Sequence, residues 1–478
     1  DPLWSRGLGD VYKRQRMILL IAFKDLRERL RDGRLYWAGG IVAVLLLTAL
    51  AVGYLHQQEA RAEQAAAQNA DYGDWLKQGA RHPHDAAHQG MHVFKPDTAL
   101  ALLDAGINPY IGSTVWLQAH RQSEVKFRPA QDATGLQRFG DLSAAWILQA
   151  LGPLLVIVLG FNAFSGEREQ GILRQTLSLG VAPWRLLWGK ACALGMSLAL
   201  LLVPAAIAAG LAVWLAGGRA DALWRLVALG AGYALYLATF VFITLGVSAA
   251  ARSSRVAITV LLALWIANTV VAPRVMAELS RGVHPSPTRL EFNQALQDDL
   301  KATSDRVWMQ AFGTTERWSR DVPLNQWGLA LKLDDQSSYA VYDRHFGGLW
   351  DTWERQQAVQ ESAGWLMPLL AIRAFSAAMA GTDFAHHRDF TVAAERQRRV
   401  IQDIVSADLV AHADTLDHQH FSYQASPSLW ARVPPFQYQP PAAGWALHEA
   451  RLSLLMLAAA LLLSLAFAWR AVARQTAL

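Results

Sequence analysis

The run Ala144-Ala-Trp-Ile-Leu-Gln-Ala-Leu-Gly-Pro-Leu-Leu-Val-Ile-Val-Leu-Gly-Phe-Asn-Ala-Phe164 carries no charged side chain, and Ser165-Gly-Glu-Arg-Glu169 follows it at once. A bilayer core of roughly 30 Å takes about 20 apolar residues of helix. The run therefore reads as a membrane span that stops at a charged boundary. Five further uncharged runs meet the same requirement: 35–55, 191–215, 226–250, 256–272 and 452–469. The fifth span in chain order, 256–272, is the shortest. Pro153 and Pro204 lie inside spans, where neighbouring helices can satisfy the carbonyls that a proline frees. The stretch 365–380 is also apolar but carries Arg373 near its middle. A lipid-exposed charge there would be expensive, so it reads as a packed or interfacial helix and not as a seventh span, which would move the C-terminus to the opposite side. The expected fold is an all-α integral membrane protein with six transmembrane helices.

Composition agrees. The 478 residues are 53% hydrophobic and only 17% charged, against about 25% charged in a soluble domain. Mean hydropathy is only +0.15, too low for a chain wholly in lipid. Long apolar spans must therefore alternate with large water-exposed segments, which excludes a single soluble globule, a disordered chain and a fibrous repeat. The one cysteine, Cys192, rules out an intramolecular disulfide and any cysteine-based zinc or iron–sulfur site. The net charge of +5, from 44 basic and 39 acidic residues, is explained by topology and implies no nucleic-acid partner. Residues 1–16 have no apolar core of the kind a secretory signal needs. They resemble a translated adapter read-through, a non-native leader, with Met17 as the expected start; N-terminal mass analysis would test this.

Orientation follows from basic flanks. Lys24, Arg27, Arg29, Arg31 and Arg34 precede the first span, and Arg168, Arg174, Arg185 and Lys190 lie between the second and third. Arg252 and Arg255 lie between the fourth and fifth, and Arg470 and Arg474 follow the sixth. These four segments fall on one side, the cytoplasm, so both termini are expected there. The predicted organisation is a cytoplasmic N-terminus and first span (17–55), an outer segment (56–143), spans two to five (144–272) with a cytoplasmic elbow (165–190), a second outer segment (273–451), and the last span with its tail (452–478). Both outer segments are expected to be mainly helical and to form one domain. The second opens with a Pro- and His-containing loop from Pro273 to Pro287, and helical patterns follow at 290–312 and 390–410. All 14 histidines fall in the outer segments.

The elbow is the first candidate for function. Ile172, Leu173, Thr176 and Leu177 share a helical face, and Glu167 and Glu169 suit the positive end of that helix's dipole. Gly180 and Pro183 end it, and a second short helix is expected around Trp184. As a plain connector it would need nothing more; as a docking element it would meet a cytoplasmic partner. A phosphate-cradling loop needs G-x-x-x-x-G-K-[ST]. At Gly189-Lys190, Trp184 stands where the first glycine belongs and Ala191 where the hydroxyl belongs, so this chain does not bind ATP in that way.

Gly166-Glu-Arg-Glu-Gln-Gly-Ile-Leu-Arg-Gln-Thr-Leu-Ser-Leu-Gly180, with Leu186-Leu-Trp-Gly-Lys190 after it, resembles the connector between spans two and three of type-2 ABC exporter permeases. The outer stretches His82-Pro-His-Asp-Ala-Ala-His-Gln-Gly90, Val93-Phe-Lys-Pro96, Ile111-Gly112, Leu117-Gln-Ala-His-Arg-Gln122 and Phe375-Ser-Ala-Ala-Met-Ala-Gly-Thr-Asp383 resemble one subgroup of them, which carries a large extracytoplasmic domain of unknown function. Gln118 departs from an expected acidic residue, and Asp85 and Gln89 stand where serine and tyrosine are more usual. The resemblance implies a non-catalytic permease subunit in the bacterial cytoplasmic (inner) membrane, working as a homodimer or a heterodimer with a second permease. ATP and Mg would be bound by a separate ABC ATPase subunit. Glu167, Arg168, Glu169, Gly171, Leu173 and Leu177 would couple that ATPase to the spans. The rival reading is a membrane-anchored extracytoplasmic binding or scaffold protein without ATP coupling.

Two lesser candidates remain. His84, His88 and His92 have i, i+4 spacing, which on one helix would align three imidazoles for Zn or Cu. Pro83 and Gly90 argue against an unbroken helix, and the glutamate or cysteine partners usual at zinc sites are missing. No metal is assigned, although His82, His84 and His88, with His120 further on, are the residues that would hold one; hydrogen bonding within the domain explains them equally. His386-His387 and His418-Gln-His420 near Asp414 and Asp417 are weaker candidates still. Within the spans, Gln149, Asn162 and Asn268 could line a transport path, or simply hydrogen-bond between helices.

Overall fold

The computed structural model describes residues 3–128, 143–316 and 324–475, with side chains from Met17 onward (Leu324 excepted). Part of the expected outer segment 56–143, residues 129–142, lies outside the described residues. Six helices are long and apolar enough to cross a membrane: Leu35–Lys77, Ala144–Glu169, Pro183–Leu215, Ala220–Ala250, Ser254–Val283 and Arg451–Ala473, numbered here as spans one to six. Each contains one of the six uncharged runs. The all-α membrane architecture expected from hydropathy is the one found.

A helix α1 (Leu3–Arg31) precedes the first span. The first span does not stop at residue 55 but runs on as a rod to Lys77. Its continuation, Gln57-Gln-Glu-Ala-Arg-Ala-Glu-Gln-Ala-Ala-Ala67, is made of strong helix formers with no breaker, so polarity changes what surrounds the helix but not the helix itself. The fifth span likewise continues to Val283. The expected Pro/His loop from Pro273 to Pro287 therefore shrinks to the few residues after Val283. Pro273 is accommodated because a π-helical turn, Ala267–Val271, comes just before it, and the proline sits in the first turn of the helix that resumes.

The second span uses the same device. A π turn, Ile147–Leu151, precedes Pro153. Proline has no amide to give the carbonyl four residues back. That carbonyl belongs to Gln149 and accepts the Tyr236 hydroxyl at 2.8 Å, while the Ala150 carbonyl accepts the Trp265 indole at 2.8 Å. Neighbouring spans thus repair the backbone.

The fourth span is the bundle's centre. Gly246 lies against Phe467 and the backbone of Ala468 in the sixth span. Gly232 lies against Phe375 of a short helix, Pro368–Ala380. Small residues let helices approach where lipid offers no hydrophobic drive between them. The Pro368–Ala380 helix covers the stretch 365–380 and is a packed helix of 13 residues. Nearly all of it is buried, and Arg373 is on its exposed side.

Beyond one end of the bundle the two long inter-span segments build a single globular domain. The first contributes α2 (Pro83–Gln89) and a two-stranded antiparallel ribbon, β1 (Met91–Phe94) with β2 (Thr114–Leu117), in register Met91↔Leu117. Gly90, at φ +59°, is required here, because a Cβ would run into the Leu117 carbonyl. The second contributes α5 (Arg289–Phe312), α6 (Trp327–Ser362) and α8 (Phe384–Asp408), while α7, the Pro368–Ala380 helix between the last two, packs into the core of the spans. Trp75, Met91, Val93 and Leu117 from the first segment share one core with Phe390, Ile401 and Trp430 from the second. The Trp75 indole donates to the Trp430 carbonyl at 3.1 Å. Arg225, at the start of the fourth span and 3% exposed, ties domain to bundle. It pairs with Asp221 at 2.9 Å and donates to the Ala378 and Met379 carbonyls at the end of α7 at 3.3 and 3.2 Å.

Gly246→Leu is expected to cost about 1–3 kcal/mol of stability through overpacking against the sixth span. Gly230→Leu, on the same helix with nothing within 4 Å, should melt like the parent. Thermal unfolding of the purified protein in detergent checks the pair.

Candidate functional site

The chain leaves the second span through α3 (Ser165–Glu169), turns at Gly171 and runs along α4 (Ile172–Ser178). A single elbow helix with Glu167 and Glu169 in its first turn was the expectation; the structure has two. Gly171 holds φ +76°, ψ −4°, a left-handed conformation that glycine adopts without strain. After Gly180 the third span begins directly at Pro183, so there is no separate short helix at Trp184. Proline suits a first helical turn, and no other proline stands between it and Pro204.

Three consecutive charges of α3 reach three different places. Glu167 accepts from Lys190, in the third span, at 2.8 Å and lies 3.4 Å from Lys24 of α1. Lys190 also reaches Asp25 of α1 at 3.1 Å, and is only 1% exposed. Arg168 donates to the last carbonyls of the fourth span: Ala249 at 2.6 Å, and Ala251. It also reaches Gln475 beyond the sixth span. Glu169 takes the Ser254 amide at 3.0 Å and its hydroxyl at 2.8 Å, at the N-terminus of the fifth span. Cation on carbonyls and carboxylate on amides both follow the helix dipole. The root of the elbow is pinned as well, since the Phe164 and Ser165 amides both donate to Ser248 Oγ, at 3.0 and 3.2 Å.

The α4 helix has an inner and an outer edge. Leu173 is 3% exposed, and Leu177 packs beside it against the bundle core. Arg174, Gln175 and Ser178 face outwards, and Leu179 is 83% exposed. Beside the elbow lies a cleft of about 460 Å³ bounded by Arg168, Arg252, Arg470 and Arg474. Sequence reasoning placed Glu167, Arg168, Glu169, Gly171, Leu173 and Leu177 here, and the fold does gather them. It missed Asp25, Ser248 and Ser254, which supply the partners, and Leu179, which offers the surface. The only signal for Leu179 was its place just outside the i, i+3, i+4 face.

Gln149 and Asn268 both meet Tyr236 of the fourth span, whereas Asn162 bonds elsewhere. The Gln149 amide donates to Tyr233 at 3.0 Å, Asn162 accepts from Arg34 at 3.0 Å, and Asn268 accepts the Leu369 amide at 3.2 Å. Each of these bonds joins one helix to another.

The histidines divide. α2 ends at Gly90, so His92 leaves the series, pairs with Asp71 at 3.0 Å and stacks on Trp116. His82 turns towards His420 and Phe421. Asp383 caps α8 by accepting the His386 amide at 3.1 Å and also meets the His386 ring at Nδ1, and His420 lies 3.3 Å from Asp414. Among the described residues, His84, His88 and His120 form a group whose ring nitrogens lie within 4.8 Å of one another. Gln118, in place of an acidic residue, sets its side-chain amide beside Arg121 and 3.2 Å from Ser123 Oγ. A carboxylate there would form an ion pair with the same guanidinium.

No curated protein matches the chain. A family profile described as "ABC-2 family transporter protein" matches residues 19–383. That match takes in the end of α1, five spans, the elbow and the globular domain as far as Asp383, and by it this chain belongs to the ABC-2 transporter family.

Proposed function

We propose that the protein is the membrane-spanning permease subunit of an exporter driven by a separate ABC ATPase, which docks on the outer edge of α4. Family membership supports the permease role. The observation that carries the docking is the triple anchorage of α3, because Glu167, Arg168 and Glu169 join one short helix to the third, fourth and fifth spans. A force applied at α4 is passed to all three at once, through rigid helices. On this reading Leu179, Arg174 and Gln175 touch the ATPase, and Leu173 and Leu177 transmit its movement inwards.

ATP and Mg belong to the partner chain, and this subunit hydrolyses nothing. The arginines about the elbow, Arg168, Arg252, Arg470 and Arg474, support a cytoplasmic elbow by the positive-inside rule. The globular domain then stands outside the cytoplasmic membrane, and both ends of the chain are cytoplasmic. Two such subunits, alike or different, would pair with two ATPases. Closure of the ATPases on ATP would swing the elbow, and with it the central fourth span that carries the domain.

Leu179→Asp, on a fully solvated site, is expected to leave the melting temperature unchanged but to remove the ATPase from material pulled down from native membranes in mild detergent. A P-loop ATPase retained at near-equal stoichiometry would show that the α4 edge is not the dock. Failure of the unaltered protein to bring down any such ATPase favours a membrane-anchored scaffold. Glu169→Gln should keep the ATPase bound while reducing permease-dependent stimulation of its hydrolysis at least about 5-fold, the lower end of ordinary coupling free energies; this is read in reconstituted proteoliposomes.

A further inference from the structure

Outside the elbow, the most concentrated unexplained chemistry is the histidine trio of the globular domain. His84 and His88 stand one turn apart on α2, with their Nε2 atoms 3.1 Å apart. Two nitrogens bound to one tetrahedral metal at about 2.0–2.1 Å each would lie about 3.3 Å apart, so this pair is already at ligand spacing. His120 closes the triangle, its ring centred 5.0 Å from that of His84 and 5.1 Å from that of His88. Its Nδ1 lies 2.9 Å from Asp335 Oδ1 of α6, which leaves Nε2 free. A metal-bound histidine commonly hands its other ring nitrogen to a carboxylate in this way.

We infer that His84, His88 and His120 bind one divalent transition-metal ion of the Zn²⁺ type, with Asp335 as the positioning residue behind His120. The backbone supports the aim of His120. Its φ is +62°, a conformation uncommon for a side-chain-bearing residue, and the Tyr342 hydroxyl holds its carbonyl at 2.7 Å. Such conformations persist where the surroundings over-determine them. A metal of this class takes neutral imidazoles, and the proton lying between the His84 and His88 Nε2 atoms would pass to the Nδ1 of the histidine that carries it, leaving both Nε2 lone pairs for the ion. Rotation of the His120 ring would bring the third nitrogen from within 4.8 Å to ligand distance. His88 is exposed, so the fourth position is open to water. The site would also fasten the first outer segment, which supplies the three ligands, to the second, which supplies Asp335.

Full-length protein purified without a polyhistidine tag and treated with chelator is titrated with Zn²⁺, and in parallel with Co²⁺ followed by its visible spectrum. The expected result is about one ion per chain, a tetrahedral Co²⁺ spectrum and a raised melting temperature with Zn²⁺. His88→Ala, on the exposed side of the trio, should abolish all three while melting like the parent when metal-free. Asp335→Asn should keep the Co²⁺ spectrum but weaken Zn²⁺ binding about 10–100-fold. Less than about a tenth of an equivalent of Zn²⁺ would overturn the inference, since binding is expected at one ion per site. Binding undiminished in His88→Ala would overturn it too. Neither outcome bears on whether an ATPase docks at the elbow.

Discussion

A buried ammonium must find carboxylates. Lys190, 1% exposed, finds Glu167 at 2.8 Å and Asp25 at 3.1 Å, with the Phe164 ring 5.4 Å away. One cation thereby fixes three elements that share no local sequence: the elbow, the third span and α1. Asp25 in turn lies 3.8 Å from Arg29, whose Nε donates to the Leu159 carbonyl of the second span at 3.0 Å. An ion cluster of this kind adds little net stability, because desolvation offsets the attraction, but removing one member leaves an uncompensated buried charge. It therefore sets geometry more than it adds energy. Gly189 has the same effect sterically, since a Cβ there would strike Ile21 of α1.

At the other end of the bundle the constraint is a chain of hydrogen bonds. Ser376 of α7 donates to Asp104 at 2.5 Å and meets Tyr233 of the fourth span at 3.0 Å, and Tyr233 takes the Gln149 amide of the second span at 3.0 Å. All four side chains are buried. With Arg225 alongside, this network makes the fourth span common to both ends. Its last carbonyls hold Arg168 of the elbow, and its first turns hold the domain. A rigid helix anchored at both ends can carry a displacement from one to the other, whereas loops could not.

Hydropathy made the six spans legible, because lipid demands a long uncharged helix and nothing else in the chain meets that demand. The reading of 365–380 as a packed helix rested on Arg373, and α7 does bury its apolar face while Arg373 stays exposed. The helix ends were less legible. The first span ran on through Ala- and Gln-rich chain because a change of solvent does not unwind a helix. The fifth ran past Pro273 because a π turn absorbs the proline. At the elbow, glycine and charge marked the place, but whether Gly171 lay within a helix or broke it depended on its φ, which spacing does not encode.

The sequence by itself determined the membrane class, the number of candidate spans and the place of the elbow. These depend on the composition of contiguous stretches, which local solvation and sterics decide. Only the tertiary structure decided which histidines meet, that Asp335 stands behind His120, and that Glu167, Arg168 and Glu169 each anchor a different helix. The i, i+4 series suggested His84, His88 and His92 together. The turn at Gly90 sent His92 to Asp71 and brought in His120 from 32 residues beyond His88. Such pairings join residues far apart in the chain, and their partners are fixed by packing of the whole bundle and domain, which no local pattern records.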